Sequence, residues 1–83
     1  MIEAYRLVTA SDVSGRDGLG LELWDDSEMI AEVFRTDATG VLSASAYRTD
    51  LPLVLVEEFL DAARHRLAVE SEDLGSRASN TTR

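Results

Sequence analysis

The sequence predicts an α+β domain: a four-stranded antiparallel β-meander followed by one C-terminal amphipathic helix packed on one face (ββββα). Three observations carry this expectation. Leu19, Leu21 and Leu23 alternate with Gly20, Glu22 and Trp24 at a period of two, the spacing of a half-buried strand. Polar, turn-forming runs at 25–27 and 36–40 separate short β-compatible segments, and connections this short join antiparallel neighbours. After Pro52 the apolar residues recur at spacings of three and four, the period of a helix.

Taken in order, residues 4–9 form the first expected strand, with Tyr5, Leu7 and Thr9 alternating against Arg6 and Val8. Residues 10–18 are rich in Ser, Asp and Gly and read as a loop. The leucine strand over 19–24 follows, its leucines directed to the core and Glu22 and Trp24 to the other face. Asp25, Asp26 and Ser27 suit a tight hairpin turn. The third strand spans 28–35, and its pattern leaves open which face is buried. Ile30 and Phe34 share one face with Glu32, while Met29 and Val33 share the other with Ala31. Gly40 supplies a positive φ for the next turn. A fourth strand over 41–47 places Val41, Ser43, Ser45 and Tyr47 on one face and Leu42, Ala44 and Ala46 on the other.

Pro52 fits a helix start, where a missing N–H is tolerated. Leu53, Val56, Leu60, Ala63 and Leu67, joined by Phe59, make the expected core stripe of a helix of about four turns. Glu57, Glu58, Asp61, Arg64 and His65 form its polar side. Residues 1–70 thus make one domain. Residues 71–83 hold only Leu74 and Ala78 as apolar side chains, too few to offset ordering entropy, and are expected to form a flexible tail.

The 83 residues carry sixteen acids against eight bases, all arginine, for a net charge of -8. That excess disfavours direct binding to nucleic acid or to anionic lipid and favours contact with basic protein surfaces. The all-arginine usage fits a GC-rich bacterial genome. No basic segment followed by a long apolar stretch begins the sequence, so neither a secretory signal nor a membrane span is expected, and the cytoplasm is the expected location. With no cysteine, no disulfide or thiolate–metal site is available to stabilise so small a core, which makes self-association attractive.

No constellation for chemistry emerges. His65 is the sole histidine and lies on the polar side of the helix, one turn after Asp61, where it is expected to be solvated. The acidic run at 25–28 lacks the ligand spacing of a calcium loop. The glycines at 15, 18 and 20 lead into a strand, whereas a phosphate cradle needs a helix start. Ser43 and Ser45 have no histidine base nearby, and Glu57, Glu58 and Asp61 lie on a solvated helix face. No catalytic, cofactor or metal residue is therefore assigned, and no cofactor is expected.

A non-enzymatic, protein-binding role remains. The face of the sheet away from the helix would carry Glu22 and Trp24, with Val41 and Tyr47 from the neighbouring strand, and these four are the candidate partner-binding residues. Trp24 has a second reading, in which it folds over the edge of the core beside the hairpin. Two classes of partner fit: a basic protein occluded by an inhibitor- or immunity-type antagonist, or a second copy of the chain in a homodimeric structural or regulatory module.

Overall fold

The leucine strand forms the middle of the molecule. The computed structural model describes residues 1–12 and 17–68 and contains a short 3₁₀ turn (Ile2–Ala4), four strands and a helix. The strands are β1 (Arg6–Asp12), β2 (Gly18–Trp24), β3 (Met29–Thr36) and β4 (Leu42–Ala46), and the helix α1 spans Leu53–Arg66. All neighbours are antiparallel in the order β1-β2-β3-β4, the expected meander with one helix after it. The tail expected over 71–83 lies outside the described residues.

The first strand begins and ends later than its pattern suggested. Residues 2–4 turn instead, closed by hydrogen bonds from Ala4 N–H to Met1 C=O and from Tyr5 N–H to Ile2 C=O. β1 then runs through Ala10 and Ser11 to Asp12 because β2, starting at Gly18, offers partners for the whole length. Small polar residues read as loop in isolation, but a neighbouring strand can recruit their backbone.

A β-bulge resolves the ambiguity of the third strand. Leu23 pairs with Ala31 and Trp24 with Met29, so Ile30 is an extra residue between them. The bulge breaks the alternation, and Ile30, Ala31 and Val33 all enter the core with Leu21 and Leu23. Glu32 and Phe34 occupy the opposite face. The β2–β3 turn is held by Asp25, whose Oδ1 accepts the N–H groups of Ser27 (2.8 Å) and Glu28 (2.9 Å). Gly40 takes φ 73° in the β3–β4 turn, as expected of a glycine there.

The helix is rotated from its expected orientation. Its buried residues are Leu55, Phe59 and Ala63, continued by Leu67 at the C-cap, whereas Leu53 is 70% exposed and Leu60 40%. The run 53–56 is apolar throughout, so either of two stripes satisfies the period. The chain entering from Asp50 (φ 58°) and the packing of α1 over β2 and the 3₁₀ turn select the one through Leu55. Val56 and Leu60 are left on the side of the helix that looks toward β4, and Leu53 faces outward.

Candidate protein-binding surfaces

Two surfaces come into question: the sheet face away from the helix, and the outer edge at β4. On the first, β2 places Glu22 and Trp24 as the leucine alternation requires. Trp24 is half-buried and already engaged. Its indole N–H donates to Glu22 Oε1 at 2.9 Å, and the Arg6 guanidinium lies 5.2 Å from the ring centroid in a cation–π contact. Glu22 stands directly opposite Glu32 across β2 and β3. Glu32 is only 6% exposed and accepts the Tyr47 hydroxyl at 3.4 Å.

Phe34 shares this face and is also buried, its ring lying against Gly18, where a Cβ would collide with it, and close to Gly20, where a Cβ would fit tightly. The face is therefore a mixed polar and aromatic layer whose centre is closed, not a bare apolar sheet. Of the four candidate residues, Glu22 and Trp24 are joined by the indole hydrogen bond, with Trp24 at the last position of β2. Tyr47 and Val41 lie at the two ends of β4 and are 58% and 55% exposed. Tyr47 lies at the same end of the sheet as Trp24 and Val41 at the other, so Val41 stands apart from the rest.

The second surface was not singled out by residue pattern. All five residues of β4 are exposed, and β4 is an edge strand. Its helix-side residues Leu42, Ala44 and Ala46 form the floor of two adjoining depressions beneath α1, walled by Val56 and Leu60, with Arg64 at one end. The grooves exist because alanines are too short to fill the gap between β4 and a helix seated over β2. Leu60 overhangs the gap without closing it. The signal for this surface was present in the chain: residues 41–47 carry no charge in a sequence where 29% of residues do.

The backbone of β4 completes the geometry. Val41 C=O accepts the Thr36 N–H at 3.1 Å and Tyr47 N–H donates to Ile30 C=O at 2.9 Å, with Ser43 and Ser45 opposite Phe34 and Glu32 in between. Residues 41, 43, 45 and 47 therefore turn their backbone groups toward β3. Leu42, Ala44 and Ala46 turn theirs outward, presenting three N–H and three C=O groups along the edge. The opposite edge, β1, carries Arg6, a charge of the kind that discourages strand addition.

Elsewhere, Arg48 bridges Asp25 and Glu28, tying the β2–β3 turn to the segment after β4. His65 lies exposed beside Asp61, its Nδ1 3.2 Å from the Asp61 carbonyl oxygen. Among the described residues no three His, Cys, Asp or Glu side chains converge to hold a metal ion. No described helix is long and apolar enough to cross a membrane. No protein-family model, curated protein or solved structure matches the chain.

Proposed function

We propose that this chain is a non-enzymatic protein-binding domain that engages its partner along β4, by strand addition to the edge and burial of apolar side chains in the groove beside α1. The observation that carries the reading is the exposed, uncharged edge strand with three outward N–H and three outward C=O groups beside an apolar groove. Native domains ordinarily blunt such an edge with charge, proline or a bulge, because it templates pairing with another chain. Strand addition draws affinity from backbone hydrogen bonds and specificity from side-chain pockets, and β4 supplies both.

A second reading, occlusion of a basic protein by an acidic antagonist, is favoured by the net charge of -8 and by exposed Glu57 and Asp61 on the outer side of α1. The two readings use different surfaces. Affinity capture from native lysate, with the wild-type chain and an Ala44→Pro variant as baits at low and high salt, tests them. A partner held by the wild type at both salts and lost by the variant supports edge addition. A basic partner bound equally by both baits and released by salt supports the antagonist reading and overturns the edge.

A further inference from the structure

We infer that the occupant of the β4 edge is a second copy of this chain, paired β4 to β4 in antiparallel fashion about a two-fold axis at Ala44. This rests on the reading of β4 as the binding edge and names its partner. The register follows from three requirements that coincide. First, the outward backbone groups belong to Leu42, Ala44 and Ala46, and a two-fold at Ala44 sets Leu42 opposite Ala46 and Ala44 opposite its own copy. Every outward N–H then meets an outward C=O, making six backbone hydrogen bonds across the junction. A shift by two residues in either direction strands some of these groups.

Second, the same register is complementary in volume. On the helix side, Leu42 of one copy stands beside Ala46 of the other, at the floor of the groove that Val56 and Leu60 overhang. The large side chain meets the small one, and a leucine fills the gap that the two alanines leave. On the other face Ser43 stands opposite Ser45, small residues that allow close approach and exchange hydroxyl hydrogen bonds.

Third, the register puts Val41 of one copy opposite Tyr47 of the other, twice. These are among the most exposed large apolar side chains of the described residues. An aromatic facing a β-branched residue is a favourable cross-strand pair. The pairing is isologous, so one strip satisfies both copies and the assembly closes as a dimer.

The absence of charge along this edge leaves a basic partner nothing to pair with there and lets a second copy approach. Each copy carries -8, so two copies repel over most of their surfaces, and the junction runs along residues 41–47, which carry no charge. The dimer must therefore tighten as salt screens the remaining repulsion, the opposite of the response of an acid–base complex.

Sedimentation equilibrium of the full chain across a wide concentration range, at low and high salt, tests the proposal. The expected result is a monomer–dimer equilibrium whose Kd falls as salt rises. Ala44→Pro removes an N–H that points away from β3, so it leaves the ladder within the monomer intact. It is expected to raise the Kd about a hundredfold by deleting both central donors and leaving their acceptors unmet. Val41→Asp, at an exposed position before the strand, is expected to act in the same direction without touching the ladder. Circular dichroism confirms that both variants remain folded. A wild-type chain that stays monomeric at every concentration overturns the proposal, as does a dimer that both folded variants leave unchanged or one that salt dissociates. A monomer that still captures a different protein through β4, with capture lost in Ala44→Pro, overturns the second copy as occupant while the edge-binding role stands.

Discussion

The guanidinium of Arg35 donates to the main-chain carbonyl of Leu67 at 2.9 Å, joining the core side of β3 to the end of α1. The terminal carbonyls of a helix lack intrahelical partners, and a cation there also complements the helix dipole. Arg35 is mostly buried and reaches Asp37 with its other nitrogen. Replacing it with Ala is expected to destabilise the fold by roughly 1–3 kcal/mol, because a charge-assisted bond is lost and a part-buried carbonyl is left unmet. Urea denaturation checks this, with Arg64→Ala, an exposed arginine on the same helix turn, shifting stability by no more than about 0.5 kcal/mol.

The rotation of α1 is tested by two leucines two positions apart. Leu55 is sealed in the core and Leu53 is not. Leu55→Ala is expected to cost roughly 2–5 kcal/mol through lost transfer energy and the cavity left behind. Leu53→Ala should remain within about 0.5 kcal/mol. Equal losses, or a larger loss at Leu53, would mean that the helix presents the other stripe.

Two glycines under Phe34 are expected to respond unequally. A Cβ at Gly18 would run into the Arg35 carbonyl oxygen and approach the Phe34 ring to 2.8 Å. Backbone cannot step aside, so Gly18→Ala should destabilise by roughly 1–3 kcal/mol. At Gly20 the nearest atoms are the Glu32 carboxylate at 3.1 Å and the Phe34 ring at 3.2 Å, both side chains. Gly20→Ala should be closer to neutral, since a strand alanine regains roughly 0.5–1 kcal/mol of backbone entropy. Thermal unfolding of the two variants side by side distinguishes them.

Acid should release the β2–β3 turn from Arg48. The Asp25 carboxyl is held well below the usual carboxylate range, first by its hydrogen bond from Arg48 and then by the N–H groups of Ser27 and Glu28. A carboxylate whose folded pKa is depressed contributes its full stabilisation above its unfolded-state value of about 4 and loses it as pH falls below that. Asp25→Asn should therefore melt below the wild type at neutral pH, and the two melting temperatures should converge as the pH drops through the acid range. A gap that stays constant down to the acid limit would show that the ionised carboxylate does not contribute.

Much of the architecture was legible in the chain because the signals are local. The leucine alternation of β2, the Asp25 turn, the glycine at 40 and the change of period after Pro52 each act within a few residues, and each led to the element observed. The position of Glu22 and Trp24 on the face away from the helix followed from parity alone. Their engagement by Arg6 and by one another did not, since Arg6 comes from a strand paired through the sheet register.

What the sequence by itself determined is the order and type of the four strands and the helix, the leucine face of β2 and an acidic charge balance. Tertiary structure decided three further things. The bulge at Ile30 chose the buried face of β3, because a residue without a partner on β2 lets Ile30 and Ala31 both reach the core. Packing over β2 chose Leu55 over Leu53, because a run of four apolar residues satisfies the helical period in two orientations and only contact breaks the tie. That choice left Leu60 and Val56 standing over the alanines of β4, and so created the groove. The uncharged run 41–47 marks the edge, but the groove itself has no local signature. It is the space between two elements whose separation is set by a third.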